Sequence, residues 1–139
     1  MTEYEKFEFA VDLLVEANEQ FRKEPEQQHL FAMQGPIAYA FDQATIRVNS
    51  NRRAGKTRYV NARAKEGDLV VVGTPELARI YNGPASVWIA DPFKDPPTER
   101  FNRIYVDVPF LVFDRVDAWS FYRVLCKDAD QTFIFLGRN

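Results

Sequence analysis

Gly55, Lys56 and Thr57 are the consecutive residues of this chain whose types and order most directly indicate a chemical role. They follow a polar, basic loop and begin a segment of helical propensity, close to the phosphate-binding pattern G-x-x-x-x-G-K-[ST] with Ser50 at the first glycine. Unpaired amides at a helix start and the charge of Lys56 would attract phosphate, and the Thr57 hydroxyl would bind Mg²⁺. The same tripeptide also occurs in ordinary loops. Four loop residues are further candidate nucleotide contacts: Ser50, Asn51, Arg53 and Ala54.

Asp107 is the second candidate, because it ends an apolar run that is typical of a strand over 103–107. In a parallel α/β sheet, ligands bind at the carboxyl ends of the strands. A carboxylate there would hold the water shell of a phosphate-bound Mg²⁺, which makes Thr57 and Asp107 the candidate metal residues. The alternative interpretation is a structural aspartate that caps a turn.

Residues 1–43 predict helices, and residues 44–139 predict an α/β core. An amphipathic helix over 3–22 ends before Pro25, a second helix begins at Glu26, and Gly35 and Pro36 predict a break followed by a new helix. Strands are expected over 45–49, 68–73, 86–90, 103–107 and 132–136. Helices are expected over 58–65, 74–81 and 119–125. Residues 91–97 should form a proline-rich loop, and residues 109–114 continue the apolar pattern after the fourth strand. This order predicts a single α/β domain over 1–139, with a three-layer, mostly parallel sheet and helices on both faces.

The composition narrows the class of protein. The chain has 139 residues, 46% of them hydrophobic and 14% aromatic, which indicates one folded module with a core rich in rings. Cys126 is the only cysteine and His29 the only histidine, so we expect neither a disulfide, nor a zinc site, nor a histidine-based triad. The sequence has no apolar run of spanning length and no leader, which predicts a cytoplasmic protein without membrane contact.

A basic cluster lies around the loop, although the net charge of −2 argues against a protein that coats nucleic acid. The cluster allows contact with DNA or phosphate, and the alternative is a solvated helix face. Its members lie between Arg47 and Lys65: Arg47, Arg52, Arg53, Lys56, Arg58, Arg63 and Lys65.

With these features the chain resembles the P-loop NTPases, and in particular the RecA-like ATPase core of the large terminase subunits of tailed phages. The similarity extends over about residues 31–139. Segment 52–57, RRAGKT, resembles the R-x-x-G-K-T of terminases that lack the first glycine, and Gln34 lies upstream where the family has a glutamine that reads adenine. Strand 103–107 resembles the family's apolar strand that ends in Asp-Glu, and segment 132–139 resembles its coupling strand.

The resemblance implies ATP and Mg²⁺ as cofactors. Lys56 and Thr57 would hold the phosphates and the metal, and Gln34 would bind the base. Arg52 would approach the γ-phosphate as an arginine finger and Asp107 would serve the metal, which makes these two the candidate catalytic residues. Water would attack the γ-phosphate in line.

Val108 is the main departure from the family, because the catalytic glutamate would stand there. Asp114 and Asp117 follow at a spacing that does not match. The first hypothesis is therefore an ATP- and Mg²⁺-binding domain with weak or partner-dependent hydrolysis, in which a homo-oligomer could supply a missing group. The second is a degenerate P-loop protein, a phage accessory or inhibitory factor in the host cytoplasm, that acts by binding a protein partner. A small-molecule phosphotransferase is a third interpretation, for which no arginine-rich lid is evident.

Overall fold

A five-stranded parallel sheet forms the centre of the molecule, for which a computed structural model describes residues 1–49 and 55–138. The strands lie in the order β1-β5-β4-β2-β3, and every neighbouring pair is parallel. β2, β4 and β5 are inner strands and are apolar on both faces, as is typical of a parallel sheet covered on both sides. The strands are β1 (Thr45–Val48), β2 (Leu69–Val72), β3 (Ser86–Ile89), β4 (Arg103–Asp107) and β5 (Thr132–Leu136).

Seven helices are found in the described residues, and several begin at the predicted signals. Thr2 and Glu5 form a reciprocal capping box at the first helix. Gly35, at φ +84°, separates the second helix from the third, which confirms the predicted break. Asp117 caps the last helix through the Ser120 amide. The helices are α1 (Glu3–Phe21), α2 (Pro25–Gln34), α3 (Pro36–Gln43), α4 (Lys56–Arg63), α5 (Pro75–Ala78), α6 (Pro109–Phe113) and α7 (Ala118–Leu125).

The helices cover the two faces of the sheet, which confirms the predicted α/β class. α1, α4 and α5 pack on one face, and α3, α6 and α7 pack on the other. The connections through α4 and α5 move along the sheet in one direction, whereas the connection through α6 and α7 moves in the other. Right-handed crossovers place helices on opposite faces in this situation. Because every neighbouring pair of strands is parallel, all five strands end at the same edge of the sheet, which is its carboxyl edge.

Two predicted segments differ from the structure, whereas the other strands and helices agree to within about two residues. The helix expected over 74–81 ends at Ala78, and Tyr81 follows it in a turn. The apolar run over 109–114 contains the helix α6, because Val108 turns the chain at φ 54° and Pro109 occupies the first helical position.

Helix α1 crosses the sheet from the carboxyl edge to the amino edge. Near its start, the ring of Tyr4 lies against Gly55. Near its end, Glu19 accepts hydrogen bonds from Arg103 of β4 at 3.0 and 2.6 Å, and Arg22 donates to the carbonyl of Ala129 at 2.7 Å. Phe7, Val11 and Val15, on the face between these ends, are buried in the core. No helix in the part of the chain that the structure describes is both long and apolar enough to cross a membrane.

Candidate functional site

Thr57 and Asp107 meet at the carboxyl edge of the sheet. Asp107 is the last residue of β4, and Thr57 is the second residue of α4. The Thr57 hydroxyl donates to Oδ2 of Asp107 at 3.2 Å, although the two residues are 50 positions apart in the sequence. The structure therefore brings together the two residues that were predicted to hold a metal ion.

Gly55 and Lys56 form the start of α4, as predicted. Gly55 is in the left-handed conformation, at φ +91°, and Lys56 is the first helical residue. The Lys56 side chain extends across the end of β5, since a methyl group on Gly137 would lie 3.4 Å from Lys56 Cε. The Gly137 amide in turn donates to the carbonyl of Val48, at the end of β1, at 2.8 Å. Lys56 and the ends of β1 and β5 are thus adjacent.

Asp107 is buried, with 1% of the residue exposed, so the groups around its carboxylate determine its pKa. Burial raises the pKa of Asp107 above its usual value, while hydrogen bonds from Tyr81 and Thr57, the charge of Lys56 and the amide of Val108 oppose that rise. Burial has the larger effect. A nearby cation stabilises the ionised form of a buried carboxylate, which is how the charge of Lys56 acts on Asp107.

Tyr81 belongs to the site, and the sequence did not indicate it. Its hydroxyl donates a short hydrogen bond to Oδ2 of Asp107, the oxygen that Thr57 also contacts. The turn that carries Tyr81 is held against α4, where the Asn61 amide donates to the carbonyl of Ile80 at 2.9 Å. Burial and the neighbouring charge of Asp107 raise the pKa of Tyr81, so it is a proton donor at neutral pH.

Gln34 lines a cavity of about 610 Å³ between α3 and α7. Its Nε2 donates to Oδ2 of Asp42 at 3.1 Å, while its Oε1 is buried and has no hydrogen-bond partner among the described residues. Phe41, Trp119 and Tyr122 are the aromatic residues that line it. The Sγ of Cys126, which ends α7 ahead of β5, donates to the carbonyl of Pro36 at 3.5 Å, so the first turn of α3 lies towards the amino edge of the sheet. The structure therefore does not bring Gln34 together with the Thr57–Asp107 pair at the carboxyl edge.

The predicted basic cluster is divided between the two faces of the sheet. Arg47 stacks on Phe41, with its guanidinium carbon 4.7 Å from the ring centroid, on the side of α3. Arg63 forms ion pairs with Glu8 at 3.1 Å and Asp12 at 2.8 Å, on the side of α1. The described members of the cluster thus do not form a single basic face. The candidate residues Ser50, Asn51, Arg52, Arg53 and Ala54 lie outside the described residues.

Val108 follows Asp107 in an unusual conformation. It is the one non-glycine residue with positive φ in the described part of the chain, at φ 54° and ψ 72°. A β-branched residue in this region is strained by roughly 1–3 kcal/mol. Its amide donates to the carbonyl of Leu136 at 3.0 Å, which fixes the turn between β4 and α6 beside the end of β5.

The donor set at this edge fits Mg²⁺ that is bound together with phosphate. Thr57 and Asp107 offer one hydroxyl and one carboxylate, and Mg²⁺ prefers such oxygen ligands. No group of three or more acidic, histidine or cysteine side chains in the described residues is placed to hold a metal ion. The remaining ligands would thus be water and phosphate oxygens, as in sites that bind Mg²⁺ through one or two protein groups.

Comparison with protein-family models, with curated proteins and with solved structures gives no match for this chain. The function of the site must therefore be inferred from its own geometry.

Proposed function

We propose that this protein binds a nucleoside triphosphate, ATP, together with Mg²⁺ at the carboxyl edge of its sheet. The observation that supports this most directly is the hydrogen bond between Thr57, in the first turn of α4, and the buried Asp107 at the end of β4. A helix start, a lysine and a hydroxyl–carboxylate pair together provide phosphate contacts and metal ligands in one place. Bound Mg²⁺ would neutralise phosphate charge there.

Each described residue of the site has a role in this proposal. The first amides of α4 and the ammonium group of Lys56 bind phosphate oxygens, because both present positive charge at the helix start. Thr57 and Asp107 hold the metal ion. The lysine stem rests on Gly137, which has no side chain to displace it, so its ammonium group is kept near Asp107.

We propose Gln34 as the contact of the base, as the resemblance to terminases implies, and the base must then lie apart from the phosphates, towards the amino edge. The aromatic residues that line the cavity beside Gln34 provide stacking surface, and the unpaired Oε1 of Gln34 can accept a hydrogen bond. Adenine carries an exocyclic amino donor at the position where guanine carries a carbonyl acceptor. A buried acceptor that faces this position would pair with the amino group of adenine and would meet the O6 acceptor of guanine, which favours adenine.

We propose binding with weak or partner-dependent hydrolysis. A carboxylate that orients the attacking water is needed for efficient turnover, and Val108 offers none. Asp117 is occupied as the cap of α7, where it accepts hydrogen bonds from the amide and the hydroxyl of Ser120 at 2.8 and 2.9 Å. Asp114 is exposed at the end of α6. A second subunit or another partner would have to supply the missing group.

Titration of a fluorescent ATP derivative in the presence of MgCl₂ tests this proposal. We expect saturable binding to the wild type and a loss of affinity of at least about tenfold in Lys56→Ala, since a charged hydrogen bond to phosphate is removed. Lys127→Ala is the matched control, because Lys127 is an exposed lysine between α7 and β5, at the amino edge of the sheet. Equal affinity of the two variants, or no binding to the wild type, would contradict the proposal.

A second candidate function is the binding of a protein partner, as a degenerate P-loop protein of phage type would do. It is favoured by the outer side of α1, where four large apolar side chains are exposed on a helix whose other side is buried: Phe9, Leu13, Leu14 and Phe21. Retention of a partner from cell extract by Lys56→Ala, but not by a Leu13→Glu and Phe9→Glu variant, would favour this function. Any contact with DNA would involve Arg47 and Arg63 separately, since these two lie on opposite faces of the sheet.

A further inference from the structure

Oδ2 of Asp107 receives two hydroxyl donors from different parts of the chain. Thr57 reaches it from the start of α4, and Tyr81 reaches it from the turn after α5. Tyr81 is 9% exposed and lies in the core beneath α4. The contact is therefore built into the fold and is separate from the loop that precedes Gly55.

These two contacts fill the hydrogen-bond acceptor positions of Oδ2. Each oxygen of an ionised carboxylate has two lone-pair positions. Thr57 and Tyr81 occupy both positions on Oδ2. A cation held jointly by Thr57 and Asp107 would take the position on Oδ2 that the Thr57 hydroxyl fills. The Tyr81 hydroxyl would keep the second position and draw negative charge from the same oxygen, so the metal ion competes with this hydrogen bond for the charge of the carboxylate.

We propose that Tyr81 lowers the affinity of Asp107 for the metal ion, an inference that rests on the proposed function. In the metal-free protein its hydroxyl holds the carboxylate beside Thr57 and reduces the cost of burying it. On metal binding the hydrogen bond from Tyr81 weakens, because the metal ion draws charge from the same oxygen. Tyr81 is thus a positioning residue that sets how much Mg²⁺ is needed to fill the site.

Removal of this hydroxyl should make the site easier to fill. We expect Tyr81→Phe to lower the Mg²⁺ concentration for half-maximal binding of fluorescent ADP by about tenfold, since the metal ion no longer competes with a hydrogen bond to a charged group. The measurement varies MgCl₂ at a fixed concentration of the fluorescent ADP. An unchanged or higher Mg²⁺ requirement would overturn the inference.

Tyr59→Phe is the matched control. Tyr59 is also a buried tyrosine on the same face of the sheet, and its hydroxyl donates to Oδ1 of Asp12 at 2.7 Å. The variant loses a phenol–carboxylate hydrogen bond of the same kind at a position away from Asp107. We expect its Mg²⁺ requirement to equal that of the wild type. An equal decrease in both variants would show a general effect of loosening this face and would overturn the specific role of Tyr81.

A second measurement on the wild type does not depend on how the variants fold. In protein labelled with ¹³C at the tyrosine Cζ, the Tyr81 signal should shift when MgCl₂ is added to the ADP-bound protein, and the Tyr59 signal should remain in place. No shift of Tyr81, under conditions in which Mg²⁺ strengthens ADP binding, would overturn the inference while leaving the proposed function intact. Absence of any Mg²⁺-dependent ADP or ATP binding would instead remove the proposed function, and the inference with it.

Discussion

Gly55→Ala is expected to destabilise the protein through two separable effects. Gly55 has φ +91° and ψ 34°, a left-handed conformation that costs an L-residue roughly 1–2 kcal/mol. An added Cβ would also lie 2.4 Å from Cδ1 and 3.1 Å from Cε1 of Tyr4, well inside contact distance. The ring of Tyr4 would have to move.

The cost of moving that ring follows from what the ring contacts. The guanidinium carbon of Arg58 lies 3.9 Å from its centroid, an interaction worth about 0.5–1 kcal/mol at a partly exposed position. The Tyr4 hydroxyl donates to Glu8 at 3.1 Å, for about another 0.5–1 kcal/mol. Displacement of the ring therefore adds about 1–2 kcal/mol, and Gly55→Ala should cost about 2–4 kcal/mol in total.

A double-mutant cycle in urea separates the two effects. In a Tyr4→Ala background the ring is absent, so Gly55→Ala should cost only the backbone part, about 1–2 kcal/mol. Gly83→Ala is the control, because its Cβ would meet nothing closer than 3.9 Å and its φ is ordinary. It should change the free energy of unfolding by less than about 0.5 kcal/mol. If Gly55→Ala costs the same with and without the Tyr4 ring, the ring does not restrict Gly55 and this reasoning is wrong.

Two further predictions concern the base cavity and the buried carboxylate. Gln34→Ala should reduce the preference for ATP over GTP, measured as the ratio of their dissociation constants, by about tenfold. Gln28 is an exposed glutamine of α2, and Gln28→Ala should leave that ratio unchanged. An equal ratio in both variants would exclude Gln34 as the contact of the base. The pKa of Asp107 is raised in the folded protein, so its contribution to stability is present below the ordinary carboxyl pKa and is lost as the pH rises through the raised value. The unfolding free energy of Asp107→Asn relative to the wild type should therefore increase over that pH interval, and a constant or decreasing difference would contradict the raised pKa.

The central elements of the site could be predicted because their signals are local. Gly55 precedes a helix and allows a positive φ, and Asp107 ends an apolar strand. Once strands and helices alternate, the rules for parallel sheets place all strand ends at one edge. These rules place Thr57 and Asp107 at the same edge, whereas their contact also depends on the strand order, in which only β5 separates β1 from β4.

Tyr81 and Tyr4 could not be predicted, because their roles depend on how distant segments pack. Tyr81 was expected inside a helix, where its side chain would have pointed elsewhere, but α5 ends at Ala78 and the following turn directs the phenol towards Asp107. Tyr4 reaches Gly55 because α1 lies along the sheet with its first turn at the carboxyl edge. Helical periodicity identifies the buried face of α1, but it does not specify which end of the helix lies near the loop.

Val108 connects the strain in this structure with the proposed lack of efficient turnover. A valine at φ 54° costs free energy, and its side chain provides neither a proton acceptor nor a metal ligand. The backbone, by contrast, has a clear role: the Val108 amide donates to Leu136 and its Cα lies beside Gly137, where the Lys56 stem also rests. The left-handed turn is therefore required by the way β4 ends beside β5, whichever side chain it carries. The same turn holds Asp107 beside Thr57, so the proposed site for a metal ion and phosphate lies next to a side chain that cannot activate water.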